Sequence, residues 1–553
     1  MRLTGRKIIF TASQLVTQPM TPPIAGMVIQ VQRSGRGGMG ARSIGSRGFR
    51  LNGWVRERDI RSRYRWLVDH VIAFFVLPGA FVVVPAAVRL ADPFVDTGAR
   101  RFGRWRVVWL AWFPAANALF ASFQCEVGAM AGLLAAPWLL WTLFVALLGM
   151  LRAAERGGGP WAEVAIDAGL VYLAIGGVWL LAARFGVSLL GFEEPWLSLT
   201  AAHFHFAGPV LPIVTGSLAR RLPGRFGELA AAGAVIGVPL VAIGITGGHR
   251  GAPFIEFLST TPLIAALVLT AVWMGRVAAR ERMPARITLV LAGSSLAAGT
   301  ALAAVWAVHR GFPAPYGRVY SLTMWDMIGA HAPAMVFACL MALLPLSFLP
   351  RPPAVPAMEI LLEWLGDRPR DKVWEHRPFG PKVAPDDGDV ATDRHELQLP
   401  TEAPGPPSAS GPFRRAATAA LCYRSFPTDM LVGLREPRPV HIGETVRARY
   451  RLLPFVQLVF AARVIDVFDG ERDGVHRTGF TYRTLAGHPE CGVETFAIEK
   501  ELATGTVRAV VFAHSRCATT LSRLLRPMCR RLQLAAGRAA VANLRTIALG
   551  HRA

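Results

Sequence analysis

The chain has 553 residues, of which 52% are hydrophobic and 18% charged, and its formal net charge is +23. Soluble domains carry about 25% charged residues, so this balance excludes an ordinary water-soluble globule and requires apolar surface that faces lipid. The positive excess is almost all arginine, gathered at the ends of apolar segments; that pattern fits membrane-edge loops and phospholipid headgroups, and no nucleic-acid partner is expected.

Residues 1–66 are dense in arginine, glycine and serine (Arg33, Gly35, Arg36, Gly37, Gly38) and contain no run of membrane length. Such a composition cannot bury a core, so this stretch reads as a disordered arm. Its apolar residues are interrupted by Gln14, Thr17, Gln18, Pro22 and Pro23, which is a poor fit to a signal peptide.

Residues 67–349 read as a transmembrane helical domain. Apolar runs fall near 68–89, 107–124, 128–151, 163–185, 196–218, 227–248, 254–275, 286–308 and 327–349, each close to the roughly 20 residues that a hydrocarbon layer about 30 Å thick demands. The second run is the weakest, because Pro114, Asn117 and Gln124 interrupt it, so the count is eight or nine spans. Trp105, Trp109, Trp161, Trp196 and Trp325 mark an interfacial aromatic belt. Arginines follow the odd-numbered spans (Arg100, Arg101, Arg104; Arg152, Arg156; Arg220, Arg221, Arg225; Arg276, Arg280, Arg282), so those exits read as cytoplasmic and the C-terminal domain is expected on the cytoplasmic side of a cell membrane.

Residues 350–412 are rich in proline and acid-leaning, and read as a linker with one short helix near Met358–Gly366. Residues 413–553 read as a soluble α+β domain. Strands are expected near 444–453, 456–468, 477–485, 493–500 and around Val507–Ala513, followed by a helix over about 518–548 with Leu521, Leu524, Leu525, Met528 and Leu532 on one face. A strand meander closed by a long helix suggests a helix-grip arrangement with one cavity, suited to a small apolar ligand between sheet and helix.

Ionisable side chains at bilayer depth are costly and mark pathways or paired sites. His203 and His205 in the fifth run, His331 in the last and Asp167 in the fourth are therefore the membrane candidates for a substrate or proton pathway. Residues i and i+2 lie about 200° apart on a helix, so His203 and His205 could share a metal only if the prolines that follow unwind the backbone. A membrane-bound haem or metal enzyme using these histidines, and a simple anchor for the C-terminal domain, stay open as alternatives. The sequence identifies no cofactor. The six cysteines show no metal-binding or disulfide spacing, and no phosphate loop, HExxH or GxSxG motif supports an enzyme.

The run Ala201-Ala202-His203-Phe204-His205-Phe206-Ala207-Gly208, together with Asp326-Met327-Ile328-Gly329-Ala330-His331, resembles the YndJ-like family of bacterial membrane proteins. That family's pattern is roughly HFHYAG in mid-chain with a late histidine; here Phe206 replaces the usual tyrosine, and Ala332, Pro333 and Ala334 stand where a glycine and an asparagine are expected. The resemblance implies a transporter-like topology. The stretch from Gly479 to Phe496, which includes Tyr482, Thr484, Gly487-His488-Pro489-Glu490 and Glu494, resembles the domain-of-unknown-function family 1990, with Arg483 for a glycine and Thr495 for a second glutamate. This second resemblance implies a START-like fold and makes Tyr482, Thr484, His488, Glu490 and Glu494 the motif residues. Taken together, the chain reads as a transporter-like membrane protein of unknown substrate with a cytoplasmic ligand-binding or regulatory domain.

Overall fold

The computed structural model describes residues 70–92, 103–312, 322–350 and 355–550, apart from 356, 366, 368–373, 385–387 and 435. The arm 1–66 lies outside the described residues. Ten helices form the membrane part: α1 (His70–Ala91), α2 (Arg104–Phe123), α3 (Ala129–Arg156), α4 (Trp161–Phe185), α5 (Trp196–Phe206), α6 (Val210–Arg221), α7 (Arg225–His249), α8 (Pro253–Ala278), α9 (Ala285–Gly311) and α10 (Met327–Phe348). Among the described residues, eight helical segments are long and apolar enough to cross a membrane, with α5 and α6 counting as one broken segment, Trp196–Arg221. The helix left out is α2, whose polar and arginine residues and single proline, Pro114, lower its apolarity. Yet α2 runs the full depth of the bundle: Arg104 at its start pairs with Glu155 at the end of α3, and Ser122 at its finish accepts from Arg184 at the end of α4. Beside the eight apolar segments, α2 is thus a further helix of the same bundle.

Close helix approach depends on small residues. A Cβ on Gly176 of α4 would lie 2.8 Å from the Phe204 carbonyl oxygen of α5, and one on Gly79 of α1 would lie 3.2 Å from the Phe206 ring. Two of the spans carry π-helical bulges, at Gly79–Val83 in α1 and Met327–His331 in α10.

The C-terminal domain is an eight-stranded antiparallel sheet built from β1 (Glu359–Leu362), β2 (Ala391–Gln398), β3 (Leu431–Gly433), β4 (Thr445–Leu453), β5 (Val456–Arg472), β6 (Val475–Thr484), β7 (Glu490–Glu501) and β8 (Val507–Cys517). The order is β2-β8-β7-β6-β5-β4-β3, and β1 pairs with the first residues of β5, which β6 leaves open. Helices α11 (Pro412–Leu421), α12 (Thr520–Leu524) and α13 (Arg526–Ala548) complete it. Residues Phe480, Phe496, Ile498, Ala509 and Val511 on one sheet face meet Phe413 and Ala416 of α11 and Ala540, Val541 and Leu544 of α13 in a single core.

Three expectations change here. The segment 350–412 contributes two strands to the sheet, so the folded domain begins well before residue 413. No α-helix forms among the described residues of 358–365: Glu359–Leu362 is a strand and Glu363–Leu365 a single 3-10 turn. The closing helix breaks at Leu525, and its leucine stripe does not face the core, since Leu524, Leu525 and Met528 are exposed while Gly537, Ala540, Val541, Leu544 and Ala548 are buried. Small residues form the packing face because they let the helix lie close on the sheet.

The domain docks on one end of the bundle. Met358 N–H donates to the Glu155 carbonyl at 3.0 Å, Asp367 accepts from the Arg104 amide at 3.0 Å, and Leu521 N–H donates to the Gly157 carbonyl at 2.9 Å. Gly157 has φ +67°, and a Cβ there would lie 2.1 Å from Thr519 Cβ, so the α3–α4 turn needs glycine both for its backbone and for this contact.

Candidate functional sites

In the membrane part, α5 stays helical through Phe206, and the chain breaks only afterwards, at Ala207–Pro209. His203 and His205 therefore point apart. His205 is fully buried; Trp138 Nε1 donates to its Nε2 at 2.8 Å, and its Nδ1 lies 2.7 Å from the Ala201 carbonyl oxygen. A carbonyl only accepts, so Nδ1 carries the proton, the ring is neutral, and both nitrogens are occupied. This overturns the shared use of His203 and His205 as ligands of one metal. Among the described residues no group of three or more His, Cys, Asp or Glu side chains could hold a metal ion.

His203 instead faces His331. Their rings stack with centroids 6.4 Å apart and planes 24° from parallel. His203 Nδ1 lies 2.8 Å from the Leu199 carbonyl and His331 Nδ1 2.9 Å from the Gly299 carbonyl. Both rings thus have Nδ1 held against a backbone carbonyl, His203 within α5 and His331 of α10 across to α9. Seven residues separate His203 from Trp196 at the start of α5, about 10 Å at 1.5 Å per residue, so the pair sits partway into the bundle from the end opposite the sheet domain. The α10 bulge ends at His331, and the α1 bulge begins at Gly79, whose missing Cβ leaves room for Phe206 and His205. Bulges of this kind are frequent at functional sites.

Asp167 is not part of that pair. It lies at the sheet-domain end, where Arg152 Nε donates to it at 2.9 Å and Arg156 pairs with it closely. Glu163 joins the same cluster, bound by Arg152 at 3.2 Å and by Arg220. Arg152 also donates to the Ala91 carbonyl at 2.7 Å. These contacts lock α1, α3, α4 and α6 together, so Asp167 acts as a structural partner.

In the C-terminal domain the register places Tyr482 opposite Glu494, and Glu494 opposite Ala513, on the helix-covered face. The Tyr482 hydroxyl donates to Glu494. Ser515 Oγ donates to Glu490 at 3.3 Å and accepts from Gln533 Nε2 of α13 at 2.8 Å. Arg530 donates to Gln533 Oε1 at 3.0 Å and forms a two-pronged pair with Asp393 of β2. Burial, and then the neighbouring Glu494 charge, pushes the Glu490 carboxyl up to about 7; burial pushes Glu494 up to about 7 as well. Burial and the Glu494 charge hold the Tyr482 phenol far above its ordinary range. Two carboxyls poised near neutrality therefore sit under the first turns of α13.

His488 and Thr484 stand apart from this cluster. His488 Nδ1 lies 3.0 Å from the Glu490 amide nitrogen and 2.8 Å from its carbonyl oxygen, and the ring meets Phe460 edge-on at 4.7 Å. Burial pushes its pKa down to about 4, so it is neutral at ordinary pH. Thr484 accepts from the Gly492 amide at 3.0 Å and supports the turn. Asp393, Arg530 and Gln533 complete the cluster; of these Asp393 had not stood out in the sequence, because it lies in a polar strand within the segment read as a linker. Further along α13 the space is filled by Ala540, Val541, Leu544 and Ala548. An open recess of about 560 Å³ lies between α11 and the C-terminal end of α13, and its lining includes Arg414, Arg415, Arg424 and Ile547.

Comparisons with known proteins divide the chain along the same line. Residues 74–338 match the family described as YndJ-like protein, and residues 381–543 match the domain of unknown function DUF1990. The uncharacterized membrane protein YndJ of Bacillus subtilis (strain 168) is 34% identical over 155 residues, covering 27% of this chain and 25% of that protein. A UPF0548 protein of Dictyostelium discoideum is 34% identical over 88 residues, covering 16% of this chain and 40% of that protein. The chain thus spans about a quarter and two fifths of the lengths of these curated relatives. No solved structure matches it.

Proposed function

We propose that this chain, a polytopic helical membrane protein joining a YndJ-like segment to a DUF1990 domain, is transporter-like, with a proton or substrate pathway at His203 and His331 and a regulatory C-terminal domain. The observation that carries the reading is the stacked His203–His331 pair beside a broken helix and two π-bulges. Broken helices and intramembrane ionisable residues recur where transporters bind and pass ions. A histidine whose Nδ1 is held by a backbone carbonyl keeps Nε2 as the nitrogen that takes up and releases a proton.

Orientation follows from charge. Arg104, Arg152, Arg156, Arg220 and Arg221 all lie at the end that holds the sheet domain, which by the positive-inside tendency is the cytoplasmic side of a cell membrane. The histidine pair then lies nearer the other side. For the C-terminal domain, the packed core along α13 and the two near-neutral carboxyls favour a pH-responsive regulatory role over capture of an apolar ligand. The test is proton and solute flux in liposomes holding the full chain. The reading expects flux that His331→Ala abolishes without loss of folded protein; equal flux from wild type and variant would refute it.

A further inference from the structure

We infer that the bundle-facing rim of the C-terminal domain is itself a lipid-binding surface, which seats apolar side chains at the headgroup boundary and arginines on anionic headgroups of the same bilayer. Two patches form this rim. At the β4–β5 hairpin tip, Phe455 is 64% exposed and Leu453 58%, and Trp364 beside them is 63% exposed. At the α12–α13 corner, Leu524 is 75% exposed, next to Leu525 and Met528. Soluble surfaces seldom gather large apolar side chains in this way.

Each patch is tied to the bundle end. The Phe455 carbonyl accepts from Glu363 at 3.2 Å, and Asp367, three residues past Trp364, binds the first residue of α2. Leu521, three residues before Leu524, binds Gly157 in the α3–α4 turn. Three residues reach at most about 10 Å, so both patches stay close to the level of that turn. Trp161, at the start of α4 just beyond the turn, is itself 43% exposed, and half-exposed tryptophans at span ends sit among headgroups. The charge fits the same occupant: Arg451 flanks the first patch, Arg523, Arg526 and Arg531 flank the second, and all four are exposed. Apolar side chains interleaved with arginines are the signature of interfacial binding to anionic lipid.

The experiment uses the full chain in nanodiscs of phosphatidylcholine with a minority of phosphatidylglycerol and a nitroxide-bearing lipid. Its six native cysteines are replaced, and an environment-sensitive fluorophore is attached at L453C, L524C or I442C. Ile442 is also exposed but precedes β4, so it lies about 30 Å from Leu453 along the strand. The proposal expects lipid-nitroxide quenching of about twofold at 453 and 524 and none at 442, with quenching at 524 falling by about half in the Arg523→Gln, Arg526→Gln background. Quenching at 453 and 524 no greater than at 442 would overturn it, as would undiminished quenching at 524 in the Arg523→Gln, Arg526→Gln background. Shielding that appears only with two chains per disc, and without nitroxide quenching, would assign the rim to a second copy and likewise overturn it.

Discussion

Buried carboxylates occur in two regions of this molecule and are held in opposite ways. At the junction end of the bundle, Glu163 and Asp167 share three arginines, Arg152, Arg156 and Arg220. Beneath α13, Glu490 and Glu494 find a serine and a tyrosine hydroxyl, while the nearby Arg530 is committed to Asp393. The same side-chain chemistry is therefore ionic glue in one place and proton-binding in the other, and what differs is whether a cation is left over. A buried charge without a cation neutralises.

If that contrast is right, the largest loss comes from breaking the ionic cluster. Asp167→Ala leaves Arg152 and Arg156 buried without their carboxylate, and should cost about 3–5 kcal/mol, read as a large fall in the unfolding temperature of detergent-solubilised protein. A fall no larger than that of a surface substitution would erase the distinction between the two regions.

The second effect is smaller and depends on pH. Glu490 and Glu494 have folded pKa values of about 7 against an ordinary 4.5, so folding takes up protons between these values. Their contribution is fully present below about 4.5 and is lost as pH rises through about 7, which makes the sheet domain less stable at alkaline pH. At 1.36 kcal/mol per unit, each carboxyl contributes on the order of 3 kcal/mol to this change. Glu494→Gln, which keeps the hydrogen-bonding shape, should flatten the dependence and raise protection above pH 8; pH-dependent hydrogen exchange of the β6–β8 amides measures it, and a profile unchanged by the substitution would reject the proton-binding account.

The third effect separates two neighbouring histidines. His205→Ala strands the buried Trp138 N–H and should cost about 1–3 kcal/mol. His203→Ala, at an exposed position, should change stability by less than about 0.5 kcal/mol. Thermal unfolding of the two variants in detergent checks both, and equal losses would mean that the His205–Trp138 bond is not what distinguishes them.

What the sequence disclosed follows from the physics of each signal. Spans announce themselves by apolar length, and β4 to β8 by alternation, so these elements were legible. The strand Ala391–Gln398 was not, because Asp393, Arg394 and Glu396 make it look solvated; it earns its place by pairing with the distant β8. The leucine stripe at 521–532 was visible but pointed the wrong way, since periodicity shows that a helix has an apolar face without showing what that face meets. Of the candidate sites, Tyr482, Glu490 and Glu494 stood out in the motif, and His203, His205 and His331 by their cost at bilayer depth. The partners that sort them, Trp138 for His205 and Asp393 for Arg530, are tertiary. Local sequence carries no trace of them.

The most direct test of the central claim, that His203 and His331 form the pathway while His205 is structural, is proton flux into liposomes holding the full chain and a trapped pH-sensitive dye. The account predicts flux in the wild type, loss of it in His203→Ala and in His331→Ala, and its survival in Trp138→Phe, which removes only the indole N–H that His205 accepts. No flux in the wild type, or flux that persists in both histidine variants, would contradict it.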